Sequence, residues 1–494
     1  MTALRRVQPD TPHRRGWCPS LARPMPTGDG LLARVHPPLG ILTAGQARAV
    51  ADAARRFGNG HIDVTARANL QIRGVTEATS SPLAAFLTEA GLGDRRDDGG
   101  PQRLTLTPPL AGHDVMALAW AIEEIGLEIP GLPAKTLVAV EEAGSPFAAS
   151  LAANDADIRI VLDNTAPIPG RAERQRSTIR ERAAGAMAAG ACRVALAGPD
   201  GLAWFACKFQ EDAVSVVDVA LRSLAVSGAR RMRDLPATER NGLIRASRDH
   251  LVRVPPVHPT LRPHPEAPGR SGGLERGLQE THLALEASFE AADAAPQDEG
   301  AGGRTAVCGV IDLGDGGTAL AIDSPFGRCG ADSLDRLADE AEGLASDIHL
   351  SPSRGFVLLS SHLVGAERAQ DALAKAGFIT TAHDPRTAVA ACPGAPACAS
   401  GSTATLADAA RLADVFRPFA ERGLRAHVSG CAKGCAHPAA ADLTLVGVAG
   451  LYGIVVEGAP SALPATQLTF EAALERLRRA DPSTPLSHAF RTTP

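Results

Sequence analysis

Aromatic residues are scarce in this chain of 494 residues, where they make up 3% of the sequence and include a single tyrosine. Its hydrophobic cores must therefore consist mainly of alanine, leucine and valine, and a hydrophobic content of 45% is enough to form them. Lysine is scarce too, because only four of the 50 basic residues are lysine and the others are arginine. Arginine binds carboxylates in a bidentate manner, which suits an anionic ligand.

The sequence also lacks any apolar run of about 18 residues, so no membrane-spanning helix is predicted. Residues 1–10 are basic, but no apolar segment follows them, and we expect no secretory signal. Nine cysteines, an odd number, then fit a protein of the reducing cytoplasm. A net charge of −5 and a pI near 6.3 argue against a nucleic-acid-binding surface. We expect neither nucleic acid nor membrane as a partner.

Four of the cysteines form two pairs near the end of the chain: Cys392 and Cys398 are spaced C-x5-C, and Cys431 and Cys435 are spaced C-x3-C. Four thiolates on two loops match a [4Fe–4S] cluster, which takes one thiolate per iron. A structural zinc site is an alternative, although zinc usually binds closer spacings in small domains. Two disulfides are a further alternative, which needs an oxidising compartment. The spacing of five and the Pro and Gly residues of the first loop favour the cluster.

The other five cysteines are scattered, and each is expected to be a small buried or surface thiol; they are Cys18, Cys192, Cys207, Cys308 and Cys329. Cys18 lies between Trp17 and Pro19, and for it the question stays open.

A repeated unit, offset by 287 residues, sets the architecture. A Pro-x-Gly motif occurs at residues 38–40 and again at 325–327, and each copy precedes an amphipathic helical pattern. Arg67 and Arg354 follow the two motifs at the same interval, and each leads into a short apolar strand. The unit is therefore strand, turn, helix and two strands. We expect the two units to pair into one sheet with helices on one face, an α+β arrangement.

Two parts of the sequence carry a resemblance to a known family: residues 24–35 with 63–74, and residues 391–400 with 427–438. The chain resembles the sulfite/nitrite reductase superfamily along nearly its whole length, and within it the precorrin-3B synthases of aerobic cobalamin biosynthesis. The resemblance implies a duplicated fold with a pseudo-twofold axis, in which two ferredoxin-like half-domains pair and two α/β core domains flank them.

The repeat and the resemblance together predict five segments. Residues 1–78 are the N-terminal region and first ferredoxin-like half-domain, and residues 79–254 are the first core domain. Residues 255–304, rich in Pro, Gly, Ala and acidic residues, are a flexible linker. Residues 305–384 are the second half-domain, and residues 385–494 are the second core domain, which carries the cluster.

The resemblance also implies site residues. Arg67, Arg103 and Lys135 match cations that contact the anionic substrate in relatives, although Leu137 replaces the second lysine of the family's pair. Lys433, between the last two cysteines, is expected to meet a substrate carboxylate or to raise the potential of the cluster. Three further residues alternate along one strand and are expected to share a face with Arg67; they are Asn69, Gln71 and Arg73. That face holds substrate carboxylates or is the polar side of the half-domain sheet.

The implied reaction is O2-dependent: a monooxygenase converts precorrin-3A to precorrin-3B by meso hydroxylation and γ-lactone formation, with electrons from an external donor. The cofactors implied are the [4Fe–4S] cluster and a mononuclear non-haem iron. No histidine motif identifies ligands for that iron, and His427 and His437 are the nearest candidates. The alternative is a sirohaem-dependent sulfite or nitrite reductase, against which Leu137 and Lys433 count. A non-catalytic electron-transfer protein is a third interpretation.

Overall fold

The structure is a computed structural model, and it describes residues 18–147, 151, 155–163, 192–207, 209–247, 252–253, 307–313 and 317–490. The predicted linker, 255–304, lies outside these residues. The described helices are Ala44–Phe57, Glu77–Glu89, His113–Glu128, Gln210–Ser227, Ala237–Ala246, Ala331–Gly343, Leu363–Lys375, Thr405–Ala420, Phe470–Arg479 and Leu486–Ala489. None of these helices is both long enough and apolar enough to span a membrane.

The repeat is confirmed at the level of single backbone angles. The two Pro-x-Gly motifs form short 3-10 turns, Pro38–Gly40 and Pro325–Gly327. The middle residue of each turn has a left-handed backbone, with φ of 49° at Leu39 and 56° at Phe326. Residues other than glycine rarely adopt this backbone conformation. Its occurrence at the same place in both units shows that the two turns have the same geometry.

The two units exchange strands instead of merging into the single sheet that the sequence predicted. The first five-stranded sheet has the order Met25–Thr27, Gly30–Val35, Leu70–Val75, His61–Val64 and Arg328–Gly330. The second has the order Gly309–Asp312, Thr318–Asp323, Gly355–Ser360, Ile348–Ser351 and Ile41–Leu42. The last strand of each sheet comes from the other unit, and every pairing is antiparallel. Each exchanged strand begins directly after a Pro-x-Gly turn. The turn directs the chain after Gly40 or Gly327 to the sheet of the other unit.

The two repeat helices, Ala44–Phe57 and Ala331–Gly343, pack against each other in one continuous core. Arg48 and Arg55 of the first helix form ion pairs with acidic residues of the second. The helix Glu77–Glu89 buries Leu83 and Leu87 in the same core. The core of the first half-domain therefore extends past residue 78 to include this helix.

The two core sheets share one strand order, which extends the duplication beyond the half-domains. The first core sheet runs Thr105–Leu106, Val138–Glu142, Ile158–Leu162, Cys192–Gly198, Gly201–Cys207 and Val252–Arg253. The second runs Val389–Ala391, Ala426–Ser429, Ala441–Val448, Leu451–Gly458 and Thr466–Leu468. In both, the first two pairings are parallel and the later ones antiparallel. Chain segments that follow parallel strands emerge at the same sheet edge, and in the second core these segments carry the paired cysteines.

Candidate functional site

The four paired cysteines lie on two loops at the carboxyl ends of neighbouring parallel strands. The first cysteine loop, residues 392–404, follows the strand Val389–Ala391, and the second, residues 430–440, follows Ala426–Ser429. The backbone N–H of Gly430 donates a hydrogen bond to Cys392 Sγ over 3.1 Å. Ser402 N–H donates to the carbonyl of Gly430 over 3.4 Å. Since strand pairing fixes both loop starts, the sheet itself brings the two pairs together.

Close backbone packing holds the loops in contact. A Cβ atom on Gly430 would lie 3.2 Å from the Gly394 Cα and 3.3 Å from the Gly401 Cα, so a side chain at this position would require the first loop to shift by a few tenths of an ångström. The Thr405 hydroxyl, in the first turn of the following helix, donates to the Cys392 carbonyl. These contacts fix Cys392, which is buried, while Cys398 and Cys431 are half-buried and Cys435 is exposed.

The contacts between the two loops bring the four thiols near one another, and the thiols affect each other's pKa. Burial raises the pKa of Cys431, and the nearby Cys398 and Cys392 raise it further. Burial likewise raises the pKa of Cys435, with added contributions from the other three cysteines. Among the described residues, no three His, Cys, Asp or Glu side chains converge closely enough to hold a single metal ion. The cysteine positions and the N–H bond to Cys392 suit a cluster that takes each thiolate at a separate iron.

The first cysteine loop docks on the first half-domain. Gly28 N–H donates to the Ala397 carbonyl over 3.2 Å, and a Cβ on Gly28 would lie 2.1 Å from the Pro396 oxygen. Arg73 Nη2 donates to the same Ala397 carbonyl over 2.5 Å. The hairpin that contains Gly28 and the strand that contains Arg73 thus form a platform under Cys398.

Two carboxylates hold the Arg73 guanidinium beside the first cysteine loop. Its Nε and Nη2 donate to the Asp29 oxygens over 2.9 and 2.8 Å, and its Nη1 donates to Asp63 over 3.0 Å. Asp63 also accepts from Arg328 Nε over 2.6 Å, which ties in the strand exchanged from the second unit. Arg73 is 3% exposed. In this structure it supports the docked cysteine loop.

A cavity of about 720 Å³ opens between the first half-domain and the first core sheet. We call it the arginine cavity, because six arginines and one histidine contribute to its lining; they are Arg23, Arg34, Arg67, Arg95, Arg96, Arg103 and His36. Within the described part of the chain, two buried polar atoms of this lining have no hydrogen-bond partner, His36 Nδ1 and Asn69 Oδ1. Buried polar atoms are normally paired, so these two indicate a place for a ligand or water.

Burial and neighbouring positive charge lower the pKa values of Arg67, Arg103 and His36 in the cavity. Burial lowers the pKa of Arg67, and the nearby Arg231 lowers it further. Burial lowers the pKa of Arg103 to about 10. The pKa of His36 lies well below its usual value because of burial and the charges of Arg34 and Arg103. The arginines stay charged and His36 stays neutral at pH 7, so a bound anion would relieve the repulsion.

The sequence-predicted site residues occupy different positions around this cavity. Arg67 lines it and donates from Nη1 to the Lys135 carbonyl over 3.1 Å. Arg103 donates to the carbonyls of Pro37, Ala68 and Arg67, so its guanidinium holds the turn that presents Arg67. The Lys135 side chain is half-buried beside the lining residues Ala134 and Leu137.

The residues predicted to share one face of the strand with Arg67 lie in two different places. Asn69 lies at the cavity with Arg67, and the Gln71 amide oxygen accepts from Arg34 Nε and Nη2 over 3.0 and 2.7 Å once its amide is oriented to satisfy both groups. Arg73 lies at the docked cysteine loop. Arg67 precedes the strand, in a turn where Ala68 has a φ of 50°, so strand alternation does not reach it.

His427 and His437 lie together in the second core domain, with ring centres 5.9 Å apart. His427 is fully buried, and its two ring nitrogens have no partner among the described residues. Burial, and then the neighbouring His437 and Arg354, lower its pKa to about 4. Lys433 is exposed, with Nζ 3.5 Å from Ser400 Oγ, and so links the two cysteine loops.

Sequence reasoning missed Arg34 and His36 as cavity residues and Gly28 as the docking point. A signal for Arg34 was present, because it is the charged residue in the apolar strand Gly30–Val35, whose register pairs it with Gln71. Gly28 carried no such signal, because its role depends on a loop that lies far away in the sequence.

Comparison with known proteins gives the family context of this geometry. Residues 23–90 match the model of the nitrite/sulfite reductase ferredoxin-like half domain. A precorrin-3B synthase from Sinorhizobium sp. is 32% identical over 462 residues, which cover 91% of this chain and 84% of the relative.

Two further proteins are similar to this chain, one in part of its sequence and one in its fold. A ferredoxin–nitrite reductase from Leptolyngbya laminosa is 35% identical over 106 residues, or 21% of each chain. The structure of the Mycobacterium tuberculosis NirA protein superposes with a TM-score of 0.60 at 17% identity, covering 93% of this chain and 83% of NirA. The NirA likeness confirms the predicted duplicated fold.

Proposed function

The chain belongs to the precorrin-3B synthase family of oxidoreductases, and we propose that it converts precorrin-3A to precorrin-3B in cobalamin biosynthesis. One oxygen atom of O2 enters the product, through hydroxylation of the meso carbon and closure of an acetate side chain to a γ-lactone. The other oxygen atom leaves as water, which takes two electrons and two protons from an external donor.

The observation that carries this proposal is the arginine cavity. A precorrin is a macrocycle with many carboxylates, and the cavity lies within the usual size of ligand sites, about 300–1,000 Å³. Arg34 and Arg67 present guanidinium groups to it, and His36 and Asn69 add unpaired polar atoms. Guanidinium groups bind carboxylates in a bidentate manner, so Arg34 and Arg67 suit the carboxylates of such a substrate.

Arg103 has a positioning role in this proposal. It donates to the Arg67 and Ala68 carbonyls, which fixes the turn and aims the Arg67 side chain at the cavity. Leu137 is buried beside the cavity, at the position where the family resemblance implies a second lysine in the reductases. An apolar side chain there suits the body of a macrocycle better than a small inorganic anion.

Cys392, Cys398, Cys431 and Cys435 would hold a [4Fe–4S] cluster, which supplies one-electron transfers when bound. The strand Leu70–Val75 runs from Asn69, at the cavity, to Arg73, at the first cysteine loop. Four residues of strand span about 13 Å, so the two regions adjoin through one rigid element. A mononuclear non-haem iron would supply the activation of O2 when bound, and none of the described side chains is assigned as its ligand.

The test is anaerobic purification followed by iron, sulfide and tetrapyrrole analysis and then by turnover of precorrin-3A. We expect about four sulfides, four or five irons and no haem per chain, and a product that carries one atom of 18O from 18O2. Stoichiometric sirohaem with reduction of sulfite or nitrite would establish the alternative reductase. A protein free of iron after anaerobic work would refute the cluster.

A further inference from the structure

Cys192 and Cys207 face each other across two antiparallel strands of the first core sheet. Cys192 begins the strand Cys192–Gly198, Cys207 ends the strand Gly201–Cys207, and the two are direct pairing partners. Opposed residues on antiparallel strands hold their Cα atoms about 4.5–5.5 Å apart. A disulfide joins Cα atoms about 4.4–6.8 Å apart, so the sheet places this pair within bonding range.

The two thiols are free and interact with each other. The hydrogen bond from Cys207 lowers the pKa of Cys192, and the same bond raises the pKa of Cys207. Cys207 thus supplies an S–H group to the Cys192 sulfur, and the two sulfur atoms lie within reach of each other. This asymmetry is that of an attacking and a resolving thiol.

The position of the pair limits what can reach it. Cys192 and Cys207 are 1% and 2% exposed, but they lie at the ends of their strands. Cys192 Sγ is 3.8 Å from the carbonyl oxygen of Phe209, a residue that is 50% exposed. Strand ends open more readily than strand centres, so a small oxidant gains access where a bulky reagent does not.

We propose that Cys192 and Cys207 are a redox-sensitive pair that forms a reversible disulfide with a peroxide as oxidant. The Cys192 thiolate attacks one oxygen of hydrogen peroxide, the O–O bond breaks, and a sulfenic acid forms as hydroxide leaves and takes a proton to become water. The Cys207 sulfur then attacks the Cys192 sulfur and displaces a second water. In total two thiols and one peroxide give one disulfide and two waters, and an external dithiol restores the thiols.

The disulfide would join the open ends of a hairpin whose other end is the turn between Gly198 and Gly201. Cross-linking the ends of residues 193–206 restricts the unfolded chain, so we expect a higher thermal midpoint in the oxidised protein than in the reduced protein. Neither cysteine lines the arginine cavity or lies in the cysteine loops, so this inference stands or falls independently of the proposed function.

The test is stoichiometric hydrogen peroxide added to the anaerobic holoenzyme, followed by acid quench, alkylation and tryptic mass spectrometry. Cleavage after Arg182, Arg193 and Lys208 gives one peptide for each cysteine, 183–193 and 194–208. We expect these peptides linked with a loss of two hydrogens, and separate and alkylated after dithiothreitol. In Cys207→Ser, which lacks the resolving thiol, we expect a sulfenic acid at Cys192 that dimedone traps.

Cys329 is the matched control, because it is a buried thiol with no cysteine opposite it on the paired strand. It should stay unmodified at the peroxide concentration that links the pair. The proposal is wrong if both cysteines remain free thiols, fully alkylated after denaturation, at every peroxide concentration that oxidises other thiols of the protein. A link from either cysteine to a different partner would refute it equally. The wild-type measurement decides these outcomes without a variant.

Discussion

Gly28 and Ala397 join the two halves of the chain, because the backbone N–H of Gly28 donates to the carbonyl of Ala397 over 3.2 Å. Gly28 lies in the hairpin that opens the first half-domain, and Ala397 precedes Cys398 in the first cysteine loop. Residues 369 positions apart in the sequence (397 − 28) thus support the candidate cluster site together.

Replacing Gly28 by alanine should therefore disturb the cysteine loops. The new Cβ would lie 2.1 Å from the Pro396 oxygen and 3.0 Å from the Ala399 nitrogen, both of them backbone atoms. Overpacking of this kind costs about 1–3 kcal/mol. We expect a lower thermal midpoint and less iron and sulfide per chain, measured on protein purified anaerobically.

Gly45→Ala is the control for this experiment. Gly45 lies in the helix Ala44–Phe57, and a Cβ there meets only Thr43 Oγ1, at 3.9 Å. Alanine favours helix over glycine by up to about 1 kcal/mol, so this variant should be at least as stable as wild type. Normal iron content in Gly28→Ala would show that the docking contact is not needed for cluster binding.

Arg67→Ala should weaken substrate binding in the arginine cavity. Loss of one charged hydrogen bond costs about 2 kcal/mol, or roughly 30-fold in affinity. Titration of a polycarboxylate porphyrin into the anaerobic enzyme, followed by its absorption, measures the change. Arg479→Ala is the control, since the Arg479 side chain is 79% exposed and, among the described residues, its ion pair is with Glu475 on its own helix. Equal affinity of both variants would place the carboxylates elsewhere.

Cys431→Ser should abolish the iron–sulfur absorption, because serine is a poor ligand for cluster iron. Cys329→Ser is matched in chemistry but lies in the exchanged strand Arg328–Gly330, outside both cysteine loops. We expect normal iron and sulfide in that control and a large loss of both in Cys431→Ser. Retention of four irons and four sulfides in Cys431→Ser would exclude Cys431 as a ligand.

Stability should fall at acid pH partly through Asp29. Burial raises the pKa of Asp29, but the hydrogen bonds and charge of Arg73 outweigh burial, and the pKa is lowered overall. A carboxyl with a lowered pKa stabilises the fold above its unfolded pKa, about 4, and this stabilisation is lost as the pH falls through the folded value. The midpoint of Asp29→Asn should therefore decline less than that of wild type between roughly pH 5 and pH 3.

Asp371→Asn is the control for the acid experiment, because Asp371 is an exposed helix residue. Its midpoint should follow the wild-type curve. At pH 7 we expect Asp29→Asn to be less stable than wild type by about 2 kcal/mol, because Arg73 then loses one of its two charged partners and keeps only Asp63. Parallel curves for Asp29→Asn and wild type would contradict the assigned role of this ion pair.

The only tyrosine, Tyr452, provides a probe of the second core domain. It is buried, and its hydroxyl donates to Asp408 Oδ2 over 2.6 Å; burial first, and then this bond, raise its pKa. The tyrosinate absorption should therefore appear only at alkaline pH where the core unfolds, together with the loss of circular dichroism. Free tyrosine amide is the reference. Ionisation near pH 10 in the folded protein would show that the hydroxyl is accessible.

The sequence predicted the repeat and most elements around it because both follow from local rules. The Pro-x-Gly turns and the helical face at Ala47, Val50 and Ala54 are periodic patterns that neighbouring residues determine. The spacing of the cysteines marked the two loops as a candidate cluster site, because a [4Fe–4S] cluster takes four thiolates. The family resemblance rested on the same short segments.

Only the tertiary structure decided which residues of one strand meet which partner. Alternation placed Asn69, Gln71 and Arg73 on one face, but Arg73 is bound by Asp29, Asp63 and the Ala397 carbonyl, whereas Asn69 faces the cavity. Contacts and register between separate chain segments decided three further features. They are the exchange of strands between the half-domains, the docking of Ala397 on Gly28 and the pairing of Cys192 with Cys207. Periodicity within one segment carries no information on such contacts, because the partner is chosen by packing after the elements have formed.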